Sequence, residues 1–207
     1  MGVSMSRPDE QTRRNRTKLL LIFALFLLPP VSAWVVWKYL GTEGVSATTN
    51  AGTLISPARP LVVSGLRKVD GEPLVGKDLR GHWTYLVFAG PTCDERCQQQ
   101  LYLTRQVRLG MNKDVRRVQR VLVLESAPAS EFAQVLSTEH QDLTWAVRDN
   151  DAVPLLEQFR GQGFAPNGEQ YFLVDPLGNL MMYYDLGVPA RGMIKDLQKL
   201  LKISQIG

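Results

Sequence analysis

The chain has only two cysteines, Cys93 and Cys97. They follow an apolar run ending at Phe88 and a Gly90-Pro91-Thr92 turn, and they precede a stretch with helical character. That order puts both sulfurs at a strand-to-helix junction, where the positive end of the helix dipole favours thiolate over thiol. If both lie in the helix, a spacing of four places them on one face, about 6 Å apart along the axis. Two sulfurs so disposed can close a disulfide or hold a soft metal ion. The neighbours pull in opposite directions, since Asp94 and Glu95 oppose thiolate formation and Arg96 favours it.

The amino-terminal region decides where such chemistry takes place. Residues 19–37 form an uncharged apolar run of 19 residues, long enough to cross a bilayer at roughly 20 residues per span. Arg13, Arg14, Arg16 and Lys18 precede it and only Lys38 follows closely, a bias that predicts a cytoplasmic amino terminus and an exported remainder. Val31-Ser32-Ala33 also fits a cleaved signal peptide. The apolar run continues through Trp34–Trp37 beyond that cut, which favours a retained anchor, and both readings export the rest of the chain. The expected organisation is a basic cytoplasmic segment over 1–18, a transmembrane anchor over 19–38, a Gly/Ser/Thr-rich flexible linker over 39–60 and one domain over 61–207. The localisation expected is a single-pass inner membrane protein with its carboxy-terminal domain on the periplasmic side.

Within that domain, apolar runs and amphipathic segments alternate. A hairpin is expected around Asp70-Gly71, strands over 83–88, 118–124 and 143–147, and helices over 93–110, 130–136 and 152–159. A second hairpin, 171–174 with 180–184, turns at Asp175-Pro-Leu-Gly178, and a helix over 190–202 closes the chain. The pattern predicts an α/β layer fold with a mixed sheet flanked by helices. About 165 exported residues can bury a core without help from disulfides, and a four-residue loop adds little chain-entropy stabilisation, so one such bridge is poorly suited to a purely structural task.

Arg105, Arg108, Lys113, Arg116, Arg117 and Arg120 make the stretch after the cysteine helix basic. With a formal net charge of only +4, it reads as a solvated face in preference to a dock for acidic partners or lipid. No nucleic-acid-binding motif, phosphate loop, paired histidines or nucleophile elbow is present. His140 lies in a polar 138–142 turn and reads as an exposed loop residue. His82 stands at the opposite end of the 83–88 strand from Cys93, and Met181 and Met182 read as core.

The stretch Leu79-Arg-Gly-His-Trp-Thr-Tyr-Leu-Val-Phe-Ala-Gly-Pro-Thr-Cys93, the three-residue gap to Cys97, and Tyr171-Phe-Leu-Val-Asp-Pro-Leu-Gly178 together resemble the Sco/SenC group. This group consists of thioredoxin-fold, membrane-tethered factors that help assemble the copper centre of cytochrome c oxidase. The resemblance implies a thioredoxin-like domain behind a transmembrane helix. It implies Cys93 and Cys97 as redox or copper-binding residues, copper as a cofactor, and an oxidase subunit or a copper chaperone as partner.

This sequence departs from the group's pattern at three points. Asp94 and Gln98 replace the prolines that usually follow each cysteine. Glu169 stands three residues before Phe172, where thioredoxins carry a proline. Asn167 stands where the group has the histidine that completes its copper site, and an amide is a poor ligand for a monovalent soft ion. The expected function is therefore that of a Sco-like assembly factor working by thiol/disulfide exchange or weak copper(I) handling through Cys93 and Cys97. The alternative is a non-catalytic thioredoxin-fold scaffold with a structural disulfide.

Overall fold

The computed structural model describes residues 10–40 and 49–204, and the chain divides into two compact units, Met1–Thr49 and Asn50–Gly207. The described residues of the first unit form one helix, α1 (Glu10–Leu40), within which Arg13–Val36 is long and apolar enough to cross a membrane. Its apolar side chains are exposed along the whole span, with Leu25 at 70% and Phe26 at 75%. Such a surface is stable in lipid and not in water. The helix begins ahead of Arg13 and continues through Pro29 and Pro30. Of the expected linker over 39–60, residues 41–48 lie outside the described residues.

The second unit is built on a seven-stranded sheet. Its strands are β1 (Thr53–Pro60), β2 (Leu66–Lys68), β3 (Trp83–Ala89), β4 (Val118–Leu124), β5 (Leu143–Arg148), β6 (Gln170–Val174) and β7 (Asn179–Asp185), in the order β1-β7-β6-β3-β4-β5-β2. Strands β3, β4 and β5 run parallel, and β6, β7 and β1 add antiparallel pairs on one side. The helices are α2 (Gly76–Leu79), α3 (Glu95–Gly110), α4 (Ser130–Glu139), α5 (Val153–Gln158) and α6 (Ala190–Ile203). This is the expected mixed sheet flanked by helices.

The central strands are apolar on both faces because both are covered. Along β3, Trp83, Tyr85 and Val87 pack under α3, α4 and α6, while Leu86 and Phe88 enter the opposite layer with Leu155 and Phe159. Strands β4 and β6 alternate in the same way, with Leu122 and Leu173 on the first face and Val123 and Phe172 on the second. Phe88, Phe159 and Phe172 meet edge to face at 5.0, 5.0 and 5.8 Å between ring centres, a favoured aromatic geometry.

Two expectations fail here. The linker expected to reach residue 60 ends earlier, since residues 53–60 form β1, paired with β7 through Thr53 opposite Tyr183 and Pro60 opposite Asn179. Ile55 is its only buried residue, so an edge strand carries almost no apolar signature. The chain enters this strand through a clamp: Asp196 of α6, 2% exposed, accepts the main-chain N–H groups of Ala51 (2.8 Å) and Gly52 (2.9 Å). A Cβ on Gly52 would lie 2.5 Å from the Tyr184 ring, so this entry point requires glycine.

The basic stretch after α3 is also not a uniformly solvated face. Arg120 is 1% exposed. Its Nη1 donates to both Asp142 oxygens at 3.1 Å, its Nη2 to the Leu101 carbonyl at 2.9 Å and its Nε to Thr104 Oγ1 at 3.2 Å. Arg108 joins the same carboxylate at 3.3 Å. Burial pushes the Asp142 carboxyl up, but Arg120, with Arg108 behind it, overrides that and holds it below the usual carboxylate range.

Candidate active site

Strand β3 delivers the chain to its carboxyl end at Ala89, and α3 starts six residues later with the cysteines at its first turn. The helix begins at Glu95 and not at Cys93, because Asp94 is the cap: its Oδ1 accepts the Cys97 N–H at 2.9 Å. Cys93 therefore lies outside the helix and Cys97 inside it, so the pair does not share a helical face. The two are joined in a disulfide with Cα atoms 5.1 Å apart, within the normal range for such a bridge. Cys97 is buried and Cys93 is half-buried, which leaves Cys93 as the sulfur open to an incoming reactant.

The charges around the bridge are ordered. The hydrogen bond from the Cys97 N–H, followed by Arg96, holds Asp94 below the usual carboxylate range, so a fixed negative charge sits at the helix start. Arg96 reaches Asp94 Oδ2 at 3.2 Å and Glu169 Oε1 at 3.4 Å, linking α3 to the loop over residues 160–169. That loop is pinned from beneath by Gln170. Its Nε2 donates to the Gly163 carbonyl and to Asp185 Oδ1, both at 2.8 Å, and its Oε1 accepts the Ala165 N–H at 3.0 Å. Gly168 has φ +78°, and a Cβ there would stand 3.3 Å from the Phe88 carbonyl, so the loop crosses the end of β3 as closely as glycine allows.

Two clefts flank the disulfide. One, of about 370 Å³, opens on the Cys97 side and is polar, with Asp94, Arg96, Arg148 and Asn167 in its wall; Arg148 is paired with Glu125. The other, of about 460 Å³, opens on the Cys93 side between α3 and α4 and includes Tyr102, Phe132 and His140. His140 is thus not the exposed loop residue its polar neighbours suggest. It caps the end of α4, is 8% exposed, and is held below its ordinary pKa first by burial and then by Arg120 and Arg105.

Asn167 does come to the cysteine end of the sheet, in the wall of the Cys97 cleft. Its amide is already engaged, because Nδ2 donates to Glu169 Oε2 at 3.0 Å and Oδ1 accepts the Glu169 N–H at 3.1 Å. Among the described residues, no group of three or more His, Cys, Asp or Glu side chains is arranged to hold a metal ion. His82 is exposed at the far end of β3, and Met182 is in the core opposite Leu173. The donor set does not fit a three-ligand copper site: it offers two sulfurs and an amide occupied by its neighbour.

Solved structures with this fold are similar over most of their length. Thermus thermophilus apo Sco1 is 20% identical, with 75% of this chain and 99% of that one covered and a TM-score of 0.58. Yeast Sco1 with copper bound is 14% identical, with 70% and 96% covered and a TM-score of 0.57. BsSco, described with a disulfide switch and as a member of the Sco family of cytochrome c oxidase assembly proteins, is 13% identical, with 73% and 99% covered and a TM-score of 0.54. At these identities the likeness establishes the thioredoxin-like fold alone. No curated protein matches the sequence. Residues 83–204, more than half of the chain, match the family described as transmembrane-like, thioredoxin-like, C-terminal domain, and the chain belongs to that family.

Proposed function

We propose that this chain is a membrane-anchored thiol/disulfide exchange factor of Sco type, with its thioredoxin-like domain on the periplasmic side and a cysteine-bearing component of cytochrome c oxidase assembly as client. The observation that carries the reading is a disulfide at the carboxyl end of β3 with one sulfur half-buried, the other buried, and a cleft on either side. The excess of positive charge ahead of the apolar run at residue 19 supports the orientation.

The chemistry runs from the reduced pair. The Cys93 thiolate attacks one sulfur of a client disulfide, and the other client sulfur leaves as a thiolate and takes a proton. Cys97 gives up its proton and attacks the Cys93 sulfur, which breaks the mixed disulfide, frees the second client thiol and restores the Cys93–Cys97 bond. The client gains two electrons and two protons, and a dithiol reductant returns the pair to its starting state. Copper(I) enters as cargo only: the reduced pair supplies two soft donors, Asn167 adds none, and binding is accordingly weak.

The test is the reduction potential of the full-length protein in detergent against glutathione buffers, together with oxidase activity in cells carrying Cys93→Ser and Cys97→Ser. A potential near that of known exchange factors, about −270 to −120 mV, with loss of oxidase activity in both variants, supports the proposal. A potential below about −300 mV with full activity in both variants assigns the disulfide to a scaffold.

A further inference from the structure

We infer that the groove between α3 and α4 is the docking site for the client, and that it takes about four residues of extended chain with an apolar side chain beside the reacting cysteine. The inference rests on the exchange reading above. Strands β3 and β4 are parallel and each is followed by its helix, so α3 and α4 both start at the cysteine end of the sheet. The Ala129 N–H donates to the Pro91 carbonyl at 2.9 Å, which fixes the start of α4 beside the turn carrying Cys93. The groove therefore runs from Cys93 to His140 along the ten residues of α4, about 15 Å at 1.5 Å per residue. That length matches about four residues of extended chain at roughly 3.3 Å each.

The walls state what those residues are. Leu101 and Phe132 form a buried floor, and Tyr102 and Val135 stand at the edges 60% and 37% exposed. An apolar floor with exposed apolar edges, next to a sulfur that can bond covalently to a partner, suits an apolar side chain adjacent to a cysteine. At the far end, His140 closes the groove, and Arg105, Glu131 and Glu139 stand in its wall around the apolar floor. The Cys97 side is less suited, since Asp94, Arg96, Glu125 and Arg148 crowd its wall without an exposed apolar edge like Tyr102 or Val135, and Asn167 is already held by Glu169.

The test uses full-length Cys97→Ser in detergent, in which Cys93 is the sole thiol. Two tetrapeptides each carry one cysteine as its disulfide with thionitrobenzoate, one with leucine beside the cysteine and one with serine. Attack by Cys93 on the peptide sulfur releases the coloured thiolate, and Ellman's reagent gives the intrinsic reactivity of the thiol. The leucine peptide is expected to react roughly tenfold faster than the serine peptide. That preference is expected to fall towards one in Val135→Asp and in Tyr102→Ala, and to persist in Leu177→Asp on the distant β6–β7 turn. Equal rates for the two peptides, or a preference that survives both groove variants, overturn the docking site while leaving thiol exchange intact. Failure of Cys93 to react even with Ellman's reagent overturns the exchange reading and the docking site together. Tyr102 is exposed enough that its variant folds even if Val135→Asp does not.

Discussion

Two clusters of charge in this domain use the same residue types for different ends. Around the disulfide, Asp94, Arg96 and Glu169 are each 57% exposed at their side chains and joined at 3.2 and 3.4 Å. Between α3 and β4, Arg120 is buried against Asp142, with every nitrogen of its guanidinium donating. Ion pairs in water contribute at most about 1 kcal/mol, whereas removing one partner of a buried pair costs about 3–5 kcal/mol. The second cluster therefore holds helix to sheet, and the first is free to set the electrostatics of the sulfurs with little consequence for the fold.

The comparison breaks most visibly at Arg120. Arg120→Leu is expected to lower unfolding free energy by about 3 kcal/mol in urea denaturation, while Arg96→Leu changes it by less than about 0.5 kcal/mol. Comparable losses from the two would show that burial does not separate the clusters. The buried pair also predicts an acid limb. Asp142 titrates below its unfolded value of about 3.9, so its contribution is full above that pH and fades as the pH falls through the folded value. Asp142→Asn should remove that limb from a plot of stability against pH.

Smaller effects sharpen the other half of the comparison. Asp94→Ala removes the cap on α3 and is expected to cost about 1 kcal/mol. Asp94→Asn keeps the cap and removes only the charge. It should leave stability nearly unchanged, raise the reduction potential of the Cys93–Cys97 bond by roughly 10–30 mV and speed alkylation of the reduced protein at neutral pH. A stability loss without a shift in potential would show that Asp94 acts on the helix alone. The least change is expected in Arg96→Ala, where loss of a positive charge beside the sulfurs lowers the potential by a few millivolts, at the edge of measurement.

What the amino-acid sequence reveals follows the same division. The buried strands announce themselves, since β3, β4 and β6 are continuous apolar runs bounded by turn residues, and Asp175-Pro-Leu-Gly178 marks the β6–β7 turn. The disulfide's place at the end of β3 is legible for the same reason. Residues whose role depends on a partner distant in sequence are misread. Arg120 looks like surface charge because Asp142 lies in another element, and His140 looks exposed because the groups around it, Arg105 and Arg120 among them, come from other elements. Strand β1 is missed because an edge strand with one buried side chain has the composition of a linker. The start of α3 is missed by two residues because Asp94 serves as its cap and not as its first turn.

The clamp at Asp196 bears on how the domain withstands being pulled from its amino-terminal side. An edge strand with a single buried residue can be peeled from its neighbour one hydrogen bond at a time. Here, tension arriving along the chain before Ala51 meets a buried carboxylate gripping two successive main-chain N–H groups, and passes through it to α6. Traction on the chain ahead of Ala51 is thereby borne by the closing helix and the core beneath it, and β1 is spared the role of a zipper pull.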